Sequence, residues 1–481
     1  MSTTVEQIQP KEVFRWFSAI SAVPRGSKNE KAISDFLVQF AKERSLEVYQ
    51  DAALNVIIKK PGTAGYEKSP TVILQGHMDM VCEKTADSPH DFLKDPIKLI
   101  VEGDMLHADR TTLGGDDGIA VAYALAILDS HSLAHPPLEV LITTNEEVGM
   151  DGARELKADH LQGRILFNID SEEEGVFLVS CAGGANTRTD FKIETEPLKG
   201  TALAIKVDGL LGGHSGIEII KQRANAIKML GRVLAAVKAE QPVHLVSLCG
   251  GAKHNAIAKD AEAVITVEDS ARAVKTIETI TAALQAEYRV ADKGLRITAK
   301  AASAVPQVMF TSAVSKGIID FMMIVPDGVQ YMSMDIPNLV QTSLNDGILA
   351  MDGDTVSFTI SVRSSVKSAL DEIVQVLQLC AERTGGSFTK LSEYPAWEYA
   401  PQSRARDAAV QTYKEITGKE PVISAIHAGL ECGLIKKTIP DIDAVSFGPN
   451  LYDVHTPNEH LSISSAERVW KFLVKLLENM R

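Results

Sequence analysis

Three short apolar runs in the first 170 residues end abruptly in groups that exchange protons or bind metals. Thr71-Val-Ile-Leu-Gln75 runs into Gly76-His77-Met78-Asp79. Leu138-Glu-Val-Leu-Ile-Thr-Thr144 runs into Asn145-Glu146-Glu147, and Ile165-Leu-Phe-Asn-Ile169 into Asp170. Runs of this length read as buried strands whose ends present chemistry. Stretches 13–20 and 30–42 have apolar residues at helical spacing, and 119–129 reads as a buried helix opening after Gly118. Strands alternating with helices predict an α/β fold, a sheet with helices on both faces.

From about Gly200 the pattern changes. Segments 203–208, 263–267 and 354–362 read as strands and 218–238 and 367–383 as helices of an α+β domain. Near Tyr394-Pro-Ala-Trp397 the helix–strand alternation returns. A chain of 481 residues is long for one hydrophobic core. The expected organisation is a discontinuous catalytic domain with a mixed sheet flanked by helices, 1–186 plus 391–481, and an inserted α+β lid, 187–390.

Charge and composition exclude several classes. Lys+Arg total 49 against 63 Asp+Glu, a formal charge of −14, which repels nucleic-acid phosphates and anionic membranes. The aromatic fraction of 5% offers no base-stacking platform. Cys82, Cys181, Cys249, Cys380 and Cys432 are scattered, with no CxxC pair and no disulfide framework, as in a reducing compartment. No apolar run is long enough for a bilayer, and the N-terminus lacks a signal-peptide pattern. The expectation is a soluble cytoplasmic protein that binds neither nucleic acid nor membrane.

The strand-end residues are individually ambiguous. His77 and Asp79, two apart, lean to one side of an extended chain, where the carboxylate can fix the imidazole tautomer. Taken alone, they read as a histidine near an aspartate in a polar turn. Gly114-Gly-Asp116-Asp117-Gly118 reads either as helix capping or as a carboxylate held where glycines permit close approach. Glu146-Glu147 is a solvated pair or, if partly buried, a repelling pair that needs a cation. Asp170 ends a strand, while Glu172 to Glu174 read as solvated. Asp453-Val-His455-Thr-Pro-Asn-Glu459-His460 supplies a distant loop. His90, His107, His131 and His135 show no pattern and read as surface or loop residues. Imidazoles and carboxylates gathered from these places suit zinc, manganese or cobalt without thiolates.

The order HxD, GGDDG, NEEVG, NID and HTPNE spans nearly the whole chain. It resembles the di-zinc metallopeptidases that include carboxypeptidase G, peptidase T, the aminoacylases and the carnosinases. The resemblance implies two divalent metal ions per subunit, Zn2+ first, with Co2+ or Mn2+ as alternatives. His77 and Asp170 would bind one, Glu147 and His455 the other, and Asp116 would bridge them through a cis Asp116–Asp117 peptide. His455 is preferred to His460 because the family places a histidine four residues before a glutamate, here Glu459. Asp79 would orient His77, and Glu146 would be the general base.

The same resemblance assigns Leu211-Gly-Gly-His214-Ser-Gly216 to a lid histidine. In dimeric members it reaches the partner's active site and donates to the substrate carbonyl. Otherwise it is a polar histidine in a glycine-rich turn. Asn255 and Arg363 match lid positions that contact substrate. Arg363 is either a bidentate clamp for a C-terminal carboxylate or an ordinary strand-end arginine. The implied function is hydrolysis of dipeptides of broad specificity, Xaa-His included, by a hydroxide bridging the metals, in a homodimer joined through the lid. The alternatives are a hydrolase of N-acyl amino acids or tripeptides, and a non-catalytic binding relative. Loss of Glu146 or of a ligand would mark the last, and every matched position is intact.

Overall fold

A computed structural model describes residues 4–303 and 305–481. The chain divides into two compact units, Met1–Ser180 with Tyr399–Ala425 and Leu430–Arg481, and Cys181–Glu398 with Ile426–Gly429. The expected boundaries at 186 and 390 therefore move. Strands Gly183–Lys192 and Ser387–Tyr394 pair with each other inside the second unit's sheet, so hydrogen bonding carries 181–186 and 391–398 into that unit.

The first unit is built on an eight-stranded mixed sheet. Its early strands are β1 (Glu47–Gln50), β2 (Val56–Lys60) and β3 (Val72–His77). Next come β4 (Leu99–Glu102), β5 (Met105–Ala108), β6 (Leu138–Thr143), β7 (Ile165–Asn168) and β8 (Val176–Cys181). The order is β1-β2-β6-β3-β7, then Asp443–Ser446, β8 and Val422–Ile426. β6, β3, β7 and Asp443–Ser446 run parallel, and β1 and β2 join antiparallel. Every residue of β3, β6 and β7 is buried, as expected of runs covered on both faces. β4 and β5 belong to a separate four-stranded sheet, so His107, expected at the surface or in a loop, lies on a strand.

Helices α1 (Lys11–Ser21) and α2 (Lys31–Glu43) precede α3 (Gly115–Asp129). α3 is buried throughout from Asp117 to Leu128, the mark of a core helix rather than an amphipathic one. Each large apolar side chain it buries contributes about 1.5–3 kcal/mol. Asp116 and Asp117 are not helical, and the peptide between them is cis.

The second unit is a nine-stranded antiparallel sheet with helices Ala226–Glu240, Ser270–Glu287, Ser312–Ile324 and Lys367–Thr384. Leu230 and Leu234, Ile277, Phe321 and Leu377 from these helices share one core with Leu245, Ile265 and Phe358 of the strands. The helix expected over 218–238 begins only at Ala226. Gln222 takes a left-handed conformation, and the Asn225 side chain caps the helix by accepting from the Ile227 and Lys228 N–H groups.

Candidate metal centre

The first unit gathers five of the expected side chains. His77 closes β3, Asp116 stands at the entrance to α3, and Asp170 follows β7. Glu147 lies on α4 (Glu146–Gly149), directly after β6, and His455 lies in a loop with φ +61°. His77 Nε2 is 3.1 Å from Asp116 Oδ1 and 3.5 Å from Asp170 Oδ1. His455 Nε2 is 3.1 Å from Asp116 Oδ2 and 2.9 Å from Glu147 Oε2. Asp116 thus turns one oxygen to each of two triads, and in each triad the ligand atoms lie within 4.8 Å of one another. His460 stacks on Tyr452 and hydrogen-bonds the Asn458 carbonyl, so it joins neither triad.

The surrounding hydrogen bonds fix this geometry. His77 Nδ1 is 3.2 Å from the Asp79 carbonyl and 3.4 Å from Asp79 Oδ1, which makes Nδ1–H the donor and leaves the Nε2 lone pair for a ligand role. Asp79, fully buried, also accepts from Ser27 Oγ at 2.8 Å and from the Glu146 and Glu147 N–H groups at 3.0 and 3.4 Å. Buried Glu459 accepts from four successive N–H groups, Leu113 to Asp116, at 2.7–3.3 Å.

Donor chemistry and electrostatics both fit divalent cations. Glu147 Oε1 is buried with no hydrogen-bond partner among the described residues. Burial pushes the Asp170 carboxyl up to about 6, and the charges of Asp116 and Glu147 add to it. Hydrogen bonds donated to the Asp116 and Glu147 carboxylates raise His455 to about 11. The crowded carboxylates around the two histidines make this a place that bound divalent cations would stabilise. Burial also raises the Glu146 carboxyl well above the usual carboxylate range, and the charges of Asp170, Glu431 and Glu147 reinforce this.

Several contributors hold partners that the sequence did not show. Arg25, 2% exposed, donates to the Met78 and Asp79 carbonyls and to that of Gly114, tying two of the loops together. Asp117, in a pair read either as a cap or as a closely held carboxylate, is buried and accepts from the His77 N–H. Glu431 Oε2 accepts from Gln75 Nε2 and Thr143 Oγ1, both at 2.6 Å, and burial pushes its carboxyl up to about 7. None of these contacts has a short-range sequence signature, because each joins residues far apart in the chain.

The remaining expected residues, His214, Asn255 and Arg363, lie in the second unit. His214 Nδ1 accepts from the Gly216 and Ile217 N–H groups at 3.1 and 3.3 Å, so the neutral ring carries its proton on Nε2. Burial lowers its pKa, and Arg363 acts in the same direction. Arg363 Nη1 donates to Tyr394 Oη at 2.9 Å, and its Nε is buried without a partner among the described residues. His427, 6% exposed, hydrogen-bonds Ser343 Oγ at 2.7 Å, and burial holds it down at about 3.

Paired triads sharing one aspartate at the ends of parallel strands define the class, a metal-dependent hydrolase on an α/β sheet. The chain belongs to the peptidase family M20/M25/M40, whose profile matches residues 73–479. It is 36% identical over 480 residues, 99% of each chain, to the cytosol non-specific dipeptidase of Escherichia coli (strain K12). The crystal structure of aminoacylhistidine dipeptidase from Vibrio alginolyticus superposes with a TM-score of 0.93 at 35% identity, covering 99% of this chain and 98% of that one. The aminopeptidase PepT of Bacillus cereus ATCC 10987 shares the fold, with a TM-score of 0.57 at 16% identity and coverage of 98% and 99%. Among the described residues, no helix is long and apolar enough to cross a membrane.

Proposed function

We propose that the protein is a cytoplasmic dipeptidase of broad side-chain tolerance, Xaa-His dipeptides included, that works with two divalent cations, zinc first. The observation that carries this reading is Asp116, which turns one carboxylate oxygen to each triad. His77 and Asp170 would hold one cation, Glu147 and His455 the other, and Asp116 both. When bound, the cations supply Lewis-acid polarisation and lower the pKa of water.

The side chains do the rest. Asp79 keeps the His77 tautomer fixed and holds the Glu146–Glu147 backbone in place. Glu146, with its raised carboxyl pKa, takes a proton from the attacking water and returns it to the leaving amine. His214 donates its Nε2–H to the carbonyl oxygen as charge develops there. Arg363 clamps the C-terminal carboxylate and Asn255 contacts the substrate.

A second copy of the chain is the proposed partner, joined through the inserted unit, with His214 serving the partner's site.

The test is a panel of dipeptides, tripeptides and N-acyl amino acids, assayed on metal-stripped protein with measured additions of zinc, manganese and cobalt. Metal-restored turnover of dipeptides is expected. Preference for tripeptides or acyl-amino acids would move the assignment within the family, and silence on every substrate would favour a binding role.

A further inference from the structure

His214 and Asn255 sit on paired segments of the second unit that are pinned from behind by one buried amide. Gly213–His214 pairs with Ala256–Ile257, with His214 opposite Ala256. The Asn255 carbonyl accepts the Ser215 N–H at 2.9 Å. The carbonyls on either side, of His254 and Ala256, both accept from Asn345 Nδ2, at 3.1 and 2.9 Å. Asn345 is 1% exposed and lies on strand Val340–Asp352.

The Asn345 amide cannot turn over. Its Oδ1 accepts from Asn225 Nδ2 at 3.2 Å, and Asn225 is itself fixed as the cap of helix Ala226–Glu240. Asn225 Nδ2 also donates to the Asp346 carbonyl at 2.8 Å. A flipped Asn345 would set its oxygen against two carbonyls and its NH2 against another NH2. The strand is pressed against the loop at the same place. A Cβ added to Gly347 would lie 2.7 Å from both Cα and the carbonyl oxygen of His254, so only glycine permits this approach.

We propose that Asn345 is a positioning residue for hydrolysis, setting the backbone from which Asn255 and, through strand pairing, His214 act. This rests on the roles given to those two residues under the proposed function. The chain Asn225–Asn345–His254/Ala256 carries the rigidity of a capped helix and a sheet strand into a turn that has little regular structure of its own.

The experiment is steady-state hydrolysis of a dipeptide by the zinc-loaded full chain and by Asn345→Ala, Asn255→Ala, His214→Ala and the double variant Asn345→Ala/Asn255→Ala. Zinc content and melting are measured alongside. Asn345→Ala should lower kcat by about 10²-fold, the size expected of a roughly 1 Å misplacement, with zinc content unchanged. In the Asn255→Ala background the same substitution should cost clearly less than its full single-variant loss, because the part of its effect that acts through Asn255 is already gone and only the part through His214 remains. Asn225→Asp, which keeps the helix-capping oxygen but removes the donor to Asn345, should move kcat in the same direction even if Asn345→Ala folds poorly. Parental kcat in both Asn345→Ala and Asn225→Asp, or full multiplication of losses in the double variant, overturns the positioning role alone. Parental kcat in His214→Ala and Asn255→Ala overturns their assigned roles and this proposal with them.

Discussion

At the scale of single residues, adjacent Glu146 and Glu147 have different surroundings. Glu147 Oε2 faces His455 at 2.9 Å, whereas the Glu146 backbone is held by Asp79 and its carboxyl is raised by burial. These surroundings fit the proposed roles, Glu147 as a ligand and Glu146 as the group that moves the proton. Glu146→Gln keeps the shape and removes the basic oxygen. Turnover should fall by at least about 10²-fold, the usual scale of general-base catalysis. Zinc content by atomic absorption should stay at the parental level. A variant that keeps its turnover would remove Glu146 from the base role.

At the scale of elements, α3 and the loop that bears His455 form one latch. Glu459 accepts four N–H groups at the α3 entrance, while His455, four residues earlier, faces Asp116 on that same entrance. Glu459→Ala would strand these donors, at about 1–3 kcal/mol for each that stays buried and unpaired. The expected result is a lower melting temperature together with about 10–100-fold weaker zinc binding, measured by competition with a chelator. Melting that drops while zinc affinity holds would separate the two roles.

The strand ends were legible in the sequence because an apolar run must stop where the chain leaves the core, and His77, Glu146 and Asp170 stand at those stops. Of the latch, the sequence showed only the spacing of His455 and Glu459, because the N–H groups that Glu459 holds lie 343 to 346 residues away in the chain. The late start of helix Ala226–Glu240 was hidden in the same way. Apolar spacing runs on through 218–225, and only the Asn225 cap marks where the helix begins. Arg25 gave no signal, because its partners lie 53 residues and more away in the chain.

At the scale of the whole molecule, all five cage residues belong to one unit although the chain leaves that unit and returns to it. Cations that bind the folded unit and not the unfolded chain stabilise it by mass action. Removing metal with a chelator should therefore lower the melting temperature of the first unit by several degrees, and added zinc should restore it. Scanning calorimetry reads both, and a melt indifferent to chelation would mean that the five side chains close without cations.

The discontinuity also sets an order of events on the ribosome. The inserted unit is synthesised nearly whole before Glu431, His455 and Glu459 exist, and domains tend to fold as they emerge. A nascent chain carrying His77, Asp116, Glu147 and Asp170 still lacks the histidine that completes the second triad. On the proposed reading of His455 as a ligand, a chain that stops short of 455–459 would lack the second cation's place, and its first triad, His77, Asp116 and Asp170, would stand alone.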